Sequence, residues 1–556
     1  MSRTSACPSA SAATVDAAAP RIALAQLNPT VGALAANADR ILDRMTEAAA
    51  AGAGLLLCAE HALTGAPLDD LLRRPAFHRQ LTEQLERLAA ATAGIQLVVS
   101  HPLYREGRLF SALSVYGGGG LLFQRCKQVL SEDRRLLEES CFARAADTAL
   151  SFSWGGRQLA LLFGSELEDE AFVAALATCP ADAFLLVDAR PLVAGETEQI
   201  IARYQHFAQA RQAPVLGANL LGGQDELIFA GRSLAINADG RLAHQAPAFA
   251  EQLAVLELTA GSWKTLSPLA PVTLPACIEE EIYCALQFGI ADFFAKNGFS
   301  EALIGFSGGI DSALVLALAV DALGAERVRT LMMPSPYTAQ MSLDDSRAMI
   351  RTLGVRYDEI SIAPAMAAFE QMLASQFAGL PVDATEENLQ SRIRGTTLMA
   401  LSNKTGAIVL ITSNKSELAT GYCTLYGDMA GGLAVIKDVY KTMVFRLARW
   451  RNAQSMVIPQ NIIDRPPSAE LRADQLDSDS LPDYGLLDPL IEAYVERDLD
   501  ATQLADYGLT ADELQRTLAL IRRNEYKRAQ AVQGLRISAR SFGRDRRYPI
   551  TSHYRD

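Results

Sequence analysis

The residues best suited to chemistry lie between Gly305 and Ser312, in the order Gly-Phe-Ser-Gly-Gly-Ile-Asp-Ser. The apolar run Ala302–Ile304 precedes them and Ala313–Leu316 follows, an order that reads as strand, tight turn and helix. The adjacent Gly308 and Gly309 let the backbone approach an anion closely. The helix start then aims free N–H groups and its positive dipole end at that anion. Ser307 and Ser312 add hydroxyl donors. Asp311 would repel a bare phosphate, so it suits a ligand to Mg²⁺ held between phosphates. No Gly-x-x-x-x-Gly-Lys-Ser/Thr loop occurs. Further on, Ile408–Thr412 reads as a strand running into a long polar loop through Glu417, Asp428 and Gly431-Gly432, with Lys441 beyond it. Charged groups past a strand end read as a ligand-binding surface. Between these stretches, Glu386–Arg394 begins a helix whose first turn is acidic. Asn388 and Arg392 are four residues apart, share a face and can address one ligand.

These groups need a scaffold, and the rest of the chain supplies one. At 556 residues the sequence has room for two or three domains. Its net charge of −13 argues against coating nucleic acid or an anionic membrane. No apolar run reaches the roughly 18 residues of a membrane span. Eight scattered cysteines without a Cys-x-x-Cys pair read as reduced cytoplasmic thiols, and six scattered histidines give no metal spacing. Residues 1–20 read as a disordered Ala/Ser-rich tail. Strands are expected at Ile22–Leu27, Leu55–Cys58, Ile95–Ser100, Leu159–Phe163, Ala183–Val187 and Val215–Asn219, with helices at Ala35–Gly52 and Glu198–Ala213. Glu60 falls just past a strand end, where α/β sheets place functional groups. Gly261–Pro275 reads as a linker. A second α/β unit follows, with a helix at Ile278–Phe294 and strands at Val328–Pro334, Tyr357–Ile362 and Ile408–Thr412 in a parallel sheet. The expected division is 1–20 tail, 21–260 first domain, 261–276 linker and 277–556 second domain.

Ser307–Ser312 resembles the loop of the pyrophosphate-loop ATPases, which cleave ATP between the α and β phosphates. Together with the Asn414–Gly432 block, Ile458–Leu471 (IPQNIIDRPPSAEL) and Asn524–Arg528 (NEYKR), it makes the region from Ile278 to Tyr554 resemble bacterial NAD⁺ synthetases. The first domain resembles the carbon–nitrogen hydrolase (nitrilase) superfamily, and closely the glutaminase domain of glutamine-dependent NAD⁺ synthetases. That resemblance rests on Ile22–Gly32 (IALAQLNPTVG), Ala62–Gly65 (ALTG), Asp69–Phe77 (DDLLRRPAF) and Gly222–Phe229 (GGQDELIF). It implies a nitrilase-like αββα sandwich followed by a Rossmann-like parallel-sheet domain.

The resemblance also implies an activity. Deamido-NAD⁺ is adenylated by ATP with release of pyrophosphate, and ammonia then displaces AMP to give NAD⁺. By residue match, Ser307, Gly308, Gly309, Asp311, Ser312, Thr412 and Lys441 would hold ATP, with Lys441 on the α-phosphate. Asn388, Arg392, Asp428 and Lys527 would hold deamido-NAD⁺, and Asp311 and Glu417 would hold Mg²⁺. A homo-oligomer, a dimer or an octamer, is implied as well. The related hydrolases use a Glu–Lys–Cys triad, for which Glu60 and Lys127 match and the cysteine does not: Gly164 stands at its position, with Ser165 one residue on. Ala66, Arg190 and Ser131-Glu132-Asp133 depart from the family pattern around the same pocket. The expectation is therefore an ammonia-using synthetase with a lapsed glutaminase, its ammonia free or delivered by a separate protein. The alternatives are a relocated nucleophile, Ser165 or Cys126, and a nucleotide-binding pseudoenzyme.

Overall fold

The computed structural model describes residues 20–131, 136, 138–147, 149–266 and 274–552. The expected N-terminal tail lies outside these residues save Pro20, as do residues 267–273 of the expected linker.

Two large sheets form the sandwich of the first half, beside a small hairpin of Leu221–Gln224 and Leu227–Ala230. One has seven strands, edge to edge Ser262–Thr265, Gln252–Thr259, Arg21–Gln26, Leu55–Cys58, Gln96–Arg105, Arg108–Gly117 and Gly120–Cys126. The other has six: Leu242–Gln245, Leu234–Ile236, Val215–Asn219, Ala183–Asp188, Arg157–Phe163 and Ser151–Trp154. Ile22, Leu24, Leu55 and Leu57 of the first sheet meet Leu159, Leu161, Phe163 and Leu185 of the second in one core. Strands buried on both faces carry unbroken apolar runs such as Leu55-Leu56-Leu57, because helices cover the outer faces. Leu34–Ala50 and Pro75–Ala90 cover the first sheet, and Thr197–Arg211 the second, so the layers run αββα. Ser262–Thr265, inside the expected linker, is instead an edge strand paired with Gln252–Thr259. Trp263, 4% exposed, packs into the sandwich and draws this segment into the sheet.

The second half is built on a five-stranded parallel sheet, Arg356–Glu359, Val328–Met332, Ala302–Gly305, Ile408–Ile411 and Leu433–Ala434. Helix Ile310–Leu323 is apolar on nearly every side and fully packed, since it sits between the sheet and helices Ile278–Asn297 and Lys441–Gln454. The two halves share a core in which Leu192, Ile228 and Ala230 pack with Ile282, Leu286 and Ile290. The Asp292 carboxylate accepts from Gly223 N at 2.6 Å and Asn28 Nδ2 at 2.8 Å across the same join. The C-terminal segment adds Arg536 N donating to Glu226 O at 2.9 Å and an ion pair between Arg544 and Asp69 at 2.8 Å.

Candidate functional sites

The strand Ala302–Gly305 ends in the glycine loop, and Gly309 caps the helix that begins at Ile310. Gly308 has φ +81°, and a Cβ there would lie 2.7 Å from Ser346 Oγ and 2.8 Å from Ser342 O. Only glycine fits both the conformation and the space. Ser307 Oγ and Ser312 Oγ lie 3.2 Å apart across the loop. Asp311, in the first helical turn, accepts a hydrogen bond from Asn414 Nδ2 at 2.9 Å and meets Lys441 Nζ at 2.5 Å.

Glu417 meets the same Lys441 Nζ at 3.2 Å. A capping box sets its position: Asn414 Oδ1 accepts from Glu417 N at 3.0 Å, and a Glu417 carboxylate oxygen accepts from Asn414 N at 3.3 Å. Lys441 opens its own helix, and its backbone N–H donates to Ser416 Oγ at 2.9 Å. Burial opposes the Lys441 charge, but Asp311 and Glu417 outweigh it and hold the ammonium well above its ordinary range. Burial pushes Glu417 up, against the pull of Lys441. Two carboxylates from different elements thus converge on the Lys441 ammonium beside the glycine loop, and as hard oxygen donors they are of the type that holds Mg²⁺.

A cavity of about 520 Å³ opens over this cluster. Its walls include Ser307, Gly309, Asp311, Ser312, Thr412 and Asn388. Glu417, Asp428, Lys441 and Lys527 line it too. Asn388 Oδ1 accepts from Thr424 Oγ1 at 2.9 Å, and Asp428 caps its own loop through Thr424 N at 2.7 Å. Lys527 Nζ donates to the carbonyls of Gly421 and Cys423 at 2.8 and 2.7 Å, pinning that loop from the C-terminal side. Arg392 is exposed and donates to Leu425 O at 3.3 Å. Two guanidinium groups line the cavity, that of Arg394, two residues on, and that of Arg472. Gly308 lines a smaller adjoining cavity of about 110 Å³ together with Arg465–Glu470.

A second cluster lies in the sandwich. Lys127 Nζ sits 3.1 Å from Glu60 and 2.7 Å from Glu138, and all three side chains are at most 2% exposed. Burial disfavours the Lys127 charge, but Glu138 and then Glu60 outweigh it and raise its pKa. Burial pushes the Glu60 carboxyl up, with Lys127 pulling down and Glu138 and Asp188 pushing further. Glu60, His61 and Glu138 are close enough together for a metal, but the Lys127 ammonium already lies among the carboxylates. Glu138 was invisible in the sequence, being one acid among many after Lys127.

This cluster opens on a cavity of about 490 Å³ lined by Glu60, Lys127, Ser165, Glu168, Asp188 and Arg190, among others. At Gly164 a Cβ would lie 2.4 Å from Asp188 Oδ2 and 2.6 Å from Asp188 Cγ. The Asp188 carboxylate therefore crowds the place of any side chain at Gly164, the position matched to the related hydrolases' cysteine by sequence. Asp188 Oδ2 is fixed by Arg190 Nε and Tyr204 OH, both at 3.1 Å. Ser165 is 9% exposed, and its Oγ has no hydrogen-bond partner among the described residues. Cys126 points away from Lys127 into a separate cluster with Phe110 and Ala112, and burial pushes its thiol up to about 11. Neither residue is set up as a nucleophile, which needs a base within hydrogen-bond reach or a depressed pKa.

Comparisons with known proteins agree with both halves. Residues 282–531 match the NAD synthase family. Over 96% of its length the chain is 39% identical to the glutamine-dependent NAD(+) synthetase of Acinetobacter baylyi, of which 99% is covered. It is 41% identical to that of Rhodobacter capsulatus, again over 96% of this chain and 99% of the relative. The solved glutamine-dependent NAD+ synthetase of Acinetobacter baumannii, in complex with ADP, superposes with TM-score 0.78 at 36% identity, over 96% of this chain and 98% of that one. The enzyme of that name from Cytophaga hutchinsonii shares the fold at TM-score 0.82 and 18% identity, over 96% and 98% of the two chains. Among the described residues no helix is long and apolar enough to cross a membrane.

Proposed function

The chain belongs to the glutamine-dependent NAD⁺ synthetase family, and from that premise we propose that it makes NAD⁺ from deamido-NAD⁺, ATP and ammonia without hydrolysing glutamine. The observation that carries the ammonia reading is the packing of the Asp188 carboxylate against Gly164, 2.4 Å from where a nucleophile's Cβ would stand. A thioester route needs a thiolate at that place.

In the synthetase site, Ser307, Gly309 and Ser312 offer donors to the phosphates of ATP. Lys441, charged and held at 2.5 Å from Asp311, supplies a fixed positive charge for the α-phosphate. Asp311 and Glu417 would hold Mg²⁺, which offsets phosphate charge as the substrate carboxylate attacks. Asn388 and Asp428, on the wall away from the glycine loop, face the space for deamido-NAD⁺, and Lys527 shapes that wall by fixing the Gly421–Cys423 carbonyls. The reaction forms a carboxyl–phosphate bond to AMP and breaks the α–β phosphoanhydride. Ammonia then attacks the acyl carbon, AMP leaves and one proton is released.

The first domain persists in this reading because it is part of the enzyme's core: Ile228 and Ala230 are buried with Ile282 and Leu286. Removing it would uncover that apolar face. The test is NAD⁺ and pyrophosphate formation by purified protein with deamido-NAD⁺, ATP and Mg²⁺, given ammonium in one arm and ammonium-free glutamine in the other. Product with ammonium and neither product nor glutamate with glutamine is expected. Comparable rates in the two arms would overturn the ammonia reading, and silence in both would overturn the synthetase reading.

A further inference from the structure

Four cationic side chains line the 520 Å³ cavity: Arg394, Lys441, Arg472 and Lys527. Three have partners that account for them. Lys441 is held by Asp311 and Glu417. Arg472 pairs with Asp479 at 2.6 Å and approaches Glu387 at 3.8 Å. Lys527 is spent on two backbone carbonyls. Arg394 is different. Its Nε donates to Met333 O at 3.1 Å, and among the described residues no carboxylate lies within ion-pair distance of its guanidinium. The acid that acts on it from further off is Glu470, which is itself engaged by Ser342 Oγ, Ala339 N and Arg465. Burial accordingly pulls the Arg394 pKa down to about 10, with Glu470 pushing back. A half-buried guanidinium without a counter-charge costs stability in the free protein, and an anionic ligand would relieve that cost.

The position of Arg394 selects the anion. Met333 directly follows the strand Val328–Met332, which pairs with Ala302–Gly305, the strand that ends in the glycine loop. Arg394 thus stands at the carboxyl end of the neighbouring strand, where parallel sheets receive nucleotides. Asn388, on the wall read as the deamido-NAD⁺ side, is six residues earlier, about 9 Å along the helix.

We propose that Arg394 is a phosphate-binding residue of this site, its two Nη groups taking phosphoryl oxygens of ATP and then of the adenylate. This rests on the reading of the cavity as an ATP site. An arginine suits the task because its planar fork can hold two oxygens at once.

The test uses full-length Arg394→Met and Arg394→Lys, with calorimetric titration of a non-hydrolysable ATP analogue and of deamido-NAD⁺ separately, and melting curves without ligand. The methionine variant is expected to bind the ATP analogue at least tenfold more weakly and deamido-NAD⁺ within twofold of the parent. The lysine variant should fall between, because it keeps the charge and loses the fork. Without ligand the methionine variant should melt no lower than the parent, since it sheds an uncompensated cation, whereas a purely structural arginine would lower the melting point. Unchanged affinity for the ATP analogue, or a loss confined to deamido-NAD⁺, would overturn the assignment. A parent that binds neither probe would instead bring down the reading of the cavity itself.

Discussion

Both of the cavities described above carry the same small device, a buried lysine held between two carboxylates. In the sandwich it is Lys127 between Glu60 and Glu138; beside the glycine loop it is Lys441 between Asp311 and Glu417. The distances are alike, so the ion pairs themselves do not tell the two pockets apart. What separates them is the rest of each pocket. Around Lys441 the loop conformation, the helix start and an Arg394 with no ion-pair partner among the described residues all suit an anion. Around Lys127 the reacting position is filled by Asp188, whose Oδ2 is satisfied by Arg190 and Tyr204. Buried charges outlast their chemistry because removing one strands the others.

That contrast can be broken from either side, and the largest effect should come from the cluster in the sandwich. Lys127→Met leaves Glu60 and Glu138 buried without a cation and should cost about 3–5 kcal/mol of folding stability. Without that cation the Glu60 carboxyl, which burial already pushes up, holds its proton to higher pH in the folded protein than in the unfolded chain, so stability falls as pH rises. The deficit should therefore be largest near pH 8 and shrink toward pH 5 in denaturant titrations. Ammonium-driven synthesis by the folded fraction should stay at the parent rate; a matching collapse of kcat would mean that the cluster still serves catalysis. The mirror experiment, Asp311→Asn, should leave the melting point near that of the parent and slow pyrophosphate release on the order of 10²-fold. A variant that released pyrophosphate at the parent rate would remove Asp311 from the metal and phosphate chemistry.

The sequence was most informative where backbone conformation forces residue type. The glycine loop is legible because only glycine takes φ +81° against Ser342 and Ser346, and the strands of both sheets are legible because burial on two faces demands unbroken apolar runs. The missing cysteine was equally plain. Its replacement was not, because Asp188 lies on the neighbouring strand and meets Gly164 only through the parallel register that pairs Val187 with Phe163. The place of Arg394 at the cavity is hidden from the sequence for a related reason. On a helix, residues two apart point to different sides, so choosing between Arg392 and Arg394 requires knowing how the helix lies over the sheet. Trp263 shows the opposite limit: a Pro/Ser/Thr-rich neighbourhood reads as linker, yet one aromatic side chain draws the segment into the sheet.

Smaller effects sharpen the picture of the sandwich pocket. Gly164→Cys should not restore glutamine use, because the new Cβ collides with a carboxylate that two donors hold in place. Overpacking of this kind should cost about 1–3 kcal/mol, read as a lower denaturation midpoint. Glutamate release by this single variant at a rate comparable with ammonium-driven synthesis would falsify the claim that Asp188 closes the position.

The smallest effect is expected at Ser165, the hydroxyl weighed above as a relocated nucleophile. Its Oγ is buried and without a hydrogen-bond partner among the described residues, so it already bears the desolvation cost of a polar atom with nothing in return. Truncation to alanine removes that cost along with one atom, and stability should stay within about 1 kcal/mol of the parent or rise. A catalytic serine would need a base beside it, and the neighbouring Glu166 is committed to a bidentate pair with Arg125 at 2.6 and 2.8 Å. Ser165→Ala should therefore change neither the ammonium-driven rate nor the absence of glutamate release. If the parent shows a slow release of glutamate that this variant abolishes, the first domain retains a serine-based hydrolase, and the contrast between the two lysine clusters becomes one of rate alone.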